Sequence, residues 1–328
     1  MLKKLNTFLI RLIVSILSLG LLFYFVRGEI NEAVSHLANL AVLPLLIAIA
    51  LNFVSLIVVT FRIGTILSVQ GIHLSFSRRY YLWVISLFFN LFLPSAVGGD
   101  ITKGYYIYKD SGKKMASITS VILDRFFGLL ATISIGFFAF LVAREHIGDP
   151  KVGHLLFWAT GVVLVGVLFV LNRRFSRPAE HLVLALTPGH FRSRLARLFA
   201  IFELYRDRHL NLWIAFFHSL VAQALYMTIV YFLGKSVHID LPITIYFLFV
   251  PLITVISMIP SIGGLGVREA ATVYLFRELI PVEQAVALSL LCDLFIYGIG
   301  AACGILYAIR GGASIRELKR LENEGNNV

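Results

Sequence analysis

Asp124, Arg125 and Asp293 lie inside long apolar runs, and Asp100, Lys103, Arg268 and Glu269 lie just beyond two short phrases that interrupt such runs. A charge at the centre of a membrane helix costs about 2.5–3.5 kcal/mol on insertion scales, so it persists only with a partner or a function. The two phrases are Pro94-Ser95-Ala96-Val97-Gly98-Gly99 and Pro260-Ser261-Ile262-Gly263-Gly264. Proline removes a backbone donor and the glycines free the backbone, so a helix cannot pass smoothly through either. The half-helix that resumes after such a break offers unpaired N–H groups and the positive end of its dipole, which suit an anion such as a lipid phosphate. Arg268 adds a full positive charge there. Arg268, Arg125, Ser95, Gly98, Gly99, Ser261, Gly263, Gly264 and Asn90 are therefore the expected substrate-binding residues. Asp100, Glu269, Asp124 and Asp293 are expected to gate the cleft or couple it to protons.

Plainer readings stand beside these. Asp100 and Glu269 also fit as acids capping their half-helices. Asp293, about 15 Å into its run, also fits as a buried acid paired with an arginine of another helix. Asp124 and Arg125, about 10 Å into theirs, point about 100° apart on a helix and cannot simply pair with each other. Measured from each Pro-Ser phrase, Asp124 and Asp293 fall at similar distances, which makes them candidate equivalents. Asn52, Gln223 and Tyr226 are weaker polar candidates, since single polar groups in membrane helices most often bond a neighbouring helix.

The elements that must position these residues follow from composition. The 328-residue chain is 59% hydrophobic and 14% charged, with mean hydropathy +0.86. Its net charge of +11 falls in the gaps between apolar runs, which is the positive-inside pattern of a membrane protein and not a nucleic-acid surface. Apolar runs lie at about 8–26, 37–60, 80–97, 117–142, 153–171, 210–233, 242–259 and 282–309. The first follows Lys3 and Lys4, contains Arg11 and lacks a small-residue cleavage site, so it reads as a retained span.

Eight crossings would put Lys103, Lys109, Lys113 and Lys114 on the outer face, against the charge rule. If the 80–97 run dips in, breaks at Pro94 and returns, those lysines stay inside with Arg62, Arg78 and Arg79. The same reasoning makes 242–281 a hairpin entering from the other side. The expected fold is therefore an all-α integral membrane protein. It has six full spans plus two re-entrant helical hairpins, eight hydrophobic segments in all, arranged as an inverted-topology repeat.

Within this single polytopic domain (1–328), residues 37–142 form the first repeat and 210–309 the second. Residues 172–209 form a basic cytoplasmic linker, and 310–328 a cytoplasmic tail. Phe191, Leu195, Leu198, Phe199, Phe202 and Tyr205 recur at helical spacing opposite arginines. That segment fits an amphipathic helix on the cytoplasmic leaflet, or equally a plain positive-inside loop. Cys292 and Cys303 are about 16 Å apart along one helix and cannot bridge. No P-loop, G-x-S-x-G phrase or metal-ligand spacing is present, so neither cofactor nor metal is expected.

L-P-S-A-V-G-G-D at 93–100, I-P-S-I-G-G-L-G-V-R-E at 259–269, Phe61-Arg62 and L-D-R-F-F-G at 123–128 resemble the lysylphosphatidylglycerol synthase transmembrane family, also called the flippase-like domain or UPF0104 family. The likeness covers nearly the whole chain. It implies a lipid flippase or an accessory of a lipid or polyprenyl-glycan pathway, without the soluble aminoacyltransferase domain of the synthases. Where the resemblance implies an arginine near the middle of the last span, this chain has Asp293, which reverses the local charge.

The resulting expectation is a non-enzymatic translocator. It would move a phosphate-bearing or polyprenyl-linked lipid between the leaflets of the cell membrane, with both termini cytoplasmic and a biosynthetic enzyme as a candidate partner. The alternatives are an integral-membrane transferase that uses Asp124 or Asp293 as a base on a lipid-linked substrate, and a non-transporting membrane scaffold.

Overall fold

A computed structural model describes residues 30–92, 98–143, 208–259 and 265–309, together with Gly20 and Gly28. The expected spans at 8–26 (apart from Gly20) and 153–171, linker residues 172–207 with the amphipathic segment, the tail, and Pro94, Ser95, Pro260, Ser261, Gly263 and Gly264 lie outside the described residues.

The described residues form α1 (Ile30–Ala38), α2 (Val42–Val69), α3 (Phe76–Phe92), α4 (Gly98–Ser111), α5 (Lys114–Ala143), α6 (His209–Ser236), α7 (Ile243–Ile256), α8 (Val267–Phe276) and α9 (Val282–Ile309). One order recurs: long helix, two short helices, long helix. In α2–α5 the lengths are 28, 17, 14 and 30 residues, and in α6–α9 they are 28, 14, 10 and 28. The four long helices are long and apolar enough to cross a membrane. They coincide with the spans expected at 37–60, 117–142, 210–233 and 282–309. The short pairs fall on the two interrupted runs.

Local chemistry explains the boundaries. The Ser75 hydroxyl accepts the Arg78 N–H at 3.3 Å and caps α3. Pro242 precedes α7 and Pro251 lies within it; without an N–H, Pro251 removes one internal hydrogen bond and limits that helix. Gly266 starts α8 with φ +83°, a left-handed conformation that glycine adopts without a Cβ clash.

Burial is reversed from a soluble protein. Leu43, Phe53, Phe138, Val142, Trp213, Leu294 and Ile305 are exposed, whereas Arg62, Lys103, Asp124, Glu269 and Asp293 are buried. Lipid accepts the first set and penalises the second. Helix hydroxyls such as Thr60, Thr132, Ser219 and Thr272 bond carbonyls one turn back, so few are left without acceptors in hydrocarbon.

Contacts divide the described residues into two compact units, and α2, α3, α4 and α6 each contribute to both. In the first unit, α9 packs on α1 and α8, and α8 on α7. Gly300 and Gly304 of α9, one turn apart, face Leu91 and Phe88 of α3. This small-residue stripe lets the two helices approach closely. Tyr307 closes the seam against Tyr81, Phe88 and Phe89. The Ala41 N–H donates to the Ser236 carbonyl at 2.9 Å, tying the start of α2 to the end of α6. Beyond α6, Lys235 bonds Asp240 and holds that exposed carboxyl below the usual carboxylate range. In the second unit, Ile66, Leu123, Phe127, Leu212 and Ala215 form a core joining α2, α5 and α6.

Candidate functional site

In the first unit, the second break leads into α8. Its N-cap residue, Gly266, has no side chain to cap it, so among the described residues the N–H groups of its first turn keep their bonding capacity. Arg268 and Glu269 occupy that turn. Asp293 projects from α9, about three turns in. Arg268 donates Nη2–H to Asp293 Oδ1, and Nη2 lies 3.6 Å from Glu269 Oε1. Tyr226 of α6 and Cys292 and Tyr297 of α9 lie within electrostatic reach of the guanidinium.

This cluster is under-bonded. Glu269 is 2% exposed, and among the described residues neither of its carboxylate oxygens has a hydrogen-bond partner. Arg268 Nε is likewise buried without an acceptor. Buried polar groups are normally paired, so each exception points to a missing partner.

The first break leads into α4, also in the first unit. The Gly99 N–H donates to Asn90 Oδ1 at 2.8 Å, closing the elbow between α3 and α4. A Cβ on Gly99 would meet the Ser86 carbonyl oxygen, so only glycine permits this approach. Gly98 is buried beside it. Asp100 lies 3.2 Å from Lys103 Nζ, and that ammonium sits 3.8 Å above the Trp83 ring. Lys103 is fully buried, so ion pair and ring face together replace its hydration.

Asp124 lies in the second unit, about three turns into α5. It accepts Arg62 Nε–H at 2.7 Å, and Arg62 Nη1 donates to the Ser219 hydroxyl at 3.3 Å. Arg125 is exposed on the same helix and has interactions of its own.

Two basic residues lie elsewhere than the charge pattern suggests. Arg62 is no loop residue: α2 runs on through Ile63, Ile66 and Leu67 to Val69 and buries it. Lys103 is likewise inside a helix and not in a solvated loop. In both cases a carboxylate neutralises the charge, which a loop-counting rule does not weigh. The available signal for Arg62 was Asp124, an acid in an apolar run that needed a cation.

A family model described as the lysylphosphatidylglycerol synthase TM region matches residues 8–304. The chain belongs to this lysylphosphatidylglycerol synthase TM-region family. The match spans both broken runs, the first three long helices, all but the last five residues of α9, and every charged cluster described above. Together with the membrane-length helices it makes the chain a multi-pass membrane protein, and a membrane lipid-related role fits the family. Comparison with curated proteins gives no match.

Proposed function

We propose that this chain translocates a phosphate-bearing or polyprenyl-linked lipid between leaflets of the cell membrane, using the start of α8 as its headgroup site. The observation that carries the reading is Arg268: a part-buried guanidinium at the start of a half-helix, with its buried Nε–H lacking an acceptor among the described residues. A phosphate oxygen is the acceptor such a donor set favours, and charge-assisted bonds of this kind are about twice as strong as neutral ones. The lipid tails stay in the bilayer, so only the headgroup needs a polar path. The carboxylates at Asp100, Glu269 and Asp293, all in the first unit, gate that path. Ser95, Gly98, Ser261, Gly263 and Gly264 contribute further contacts from the breaks.

The test is a flip assay in proteoliposomes with labelled anionic and zwitterionic lipids. Arg268→Gln combined with Asp293→Asn keeps the local net charge and is expected to slow anionic translocation at least about tenfold, the loss of roughly one charge-assisted hydrogen bond. Unchanged translocation in this variant, or in Arg268→Ala with Asp124→Asn, removes the mechanism.

The repeated helix order fits a hairpin in each half, and the placement of Lys and Arg in the sequence argues for opposed hairpins and cytoplasmic termini. In a variant lacking Cys292 and Cys303, single cysteines introduced at Lys109 and Arg208 should both label from the cytoplasmic face. Labelling from opposite faces excludes the inverted repeat.

A further inference from the structure

We infer that the Glu269–Asp293 pair takes up one proton for each phosphodiester anion that Arg268 binds, so that anion and proton enter the site as a neutral unit. The inference rests on the headgroup site proposed above and names its coupling ion.

The starting point is charge. Asp124 has Arg62 and Asp100 has Lys103. At α8 two carboxylates, Glu269 and Asp293, lie beside one guanidinium. With both ionised the cluster carries a net charge of −1, so a phosphate arriving at Arg268 meets repulsion from a site that is already over-neutralised. Two acids sharing one buried site do not both stay ionised when a further anion enters.

Geometry supplies the place for the proton. Glu269 Oε1 and Asp293 Oδ1 both lie against the same Arg268 nitrogen, Nη2, yet among the described residues both Glu269 oxygens are without a hydrogen-bond partner. Two carboxylates have no donor between them. One proton converts either into an acid whose O–H donates to the other, which satisfies an oxygen now orphaned. It also weakens the hold of Asp293 on Arg268, freeing that donor for phosphate. The proton comes from a hydronium ion of the bulk solution: one O–H bond of hydronium breaks, leaving water, and one O–H bond forms on a carboxylate oxygen.

Among the described residues, Arg268 and Glu269 are the charged groups that act on Asp293. Tyr226 of α6, Tyr246 of α7, and Cys292 and Tyr297 of α9 add no formal charge at neutral pH in their ordinary states. On elements packed against α9, Glu32 and His36 belong to α1 and Tyr81 to α3.

The test uses the full-length protein in phosphatidylcholine nanodiscs, in weakly buffered solution with a pH indicator. The probes are dihexanoyl phosphatidylglycerol and its tail-free headgroup, glycerophosphoglycerol. Both are phosphodiesters that do not titrate near neutrality, so any proton taken up belongs to the protein. The wild type should absorb about one proton per lipid bound, and its affinity should fall up to about tenfold per pH unit as pH rises. Glu269→Gln and Asp293→Asn replace an acid by its neutral isostere. Each should bind lipid with uptake near zero and no pH dependence, while the exposed Asp240→Asn keeps the wild-type uptake. Lipid binding without proton uptake in the wild type, or undiminished uptake in both isosteric variants, overturns the coupling and leaves the headgroup site standing. Equal binding and uptake with the tail-free headgroup supports the coupling but removes the lipid. Absence of binding by either probe overturns both.

Discussion

Arg62→Met is expected to destabilise the protein by about 3–5 kcal/mol, because it leaves the Asp124 carboxylate buried without its cation. Arg62 is 5% exposed and Asp124 is 1% exposed, and their 2.7 Å bond joins α2 to α5. Arg62 also reaches Ser219, so α6 loses a contact as well. The double variant Arg62→Met, Asp124→Leu removes both charges and should recover most of the loss, since well-packed apolar residues replace a buried ion pair at little cost. Unfolding in detergent followed by tryptophan fluorescence measures both variants. Losses that simply add across the pair would show that the two groups act independently.

Gly99→Ala is the second large effect. Replacing glycine by alanine inside a helix ordinarily stabilises by up to about 1 kcal/mol. Here the new Cβ would strike the Ser86 carbonyl oxygen, the Ser86 hydroxyl and Asn90 Oδ1. A backbone oxygen cannot rotate aside, so the start of α4 must lift from α3 and the Asn90 bond to the Gly99 N–H must lengthen. Overpacking of this kind costs about 1–3 kcal/mol, and the weakened hydrogen bond adds about 1 kcal/mol. The sign decides the matter: a raised unfolding midpoint for Gly99→Ala would mean that the elbow is not closely packed. A displaced elbow should also slow anionic lipid translocation even where the protein remains folded.

The contrast between the two halves bears on function. Asp124 and Asp293 both lie about three turns into their long helices, as their distances from the two phrases suggest. Their cations differ in origin. Arg62 comes from the preceding long helix, α2, whereas Arg268 comes from the short helix α8 at the break. Only the second arrangement brings an arginine, two carboxylates and an uncapped helix start to one place. A repeated order of helix lengths thus carries different charge arrangements, and the proposed headgroup site at α8 lies in the second half.

The local pattern of residues alone determined the membrane class, the four long helices and both interruptions. Runs of about 20 apolar residues and Pro/Gly phrases act through hydration and backbone sterics, which depend only on nearby chain. The family likeness was legible for the same reason, because its phrases are contiguous. Which cation meets which carboxylate was decided by tertiary structure. Arg62 reads as a loop residue until α2 is seen to continue past it to Val69, and Lys103 reads as a solvated lysine until Trp83 is seen beneath it. Ion pairing depends on helix rotation and on partners far apart in the chain, such as Arg62 with Asp124. No periodicity in either segment encodes the angle at which two helices meet, so the balance of charge in this interior emerges only when the helices pack.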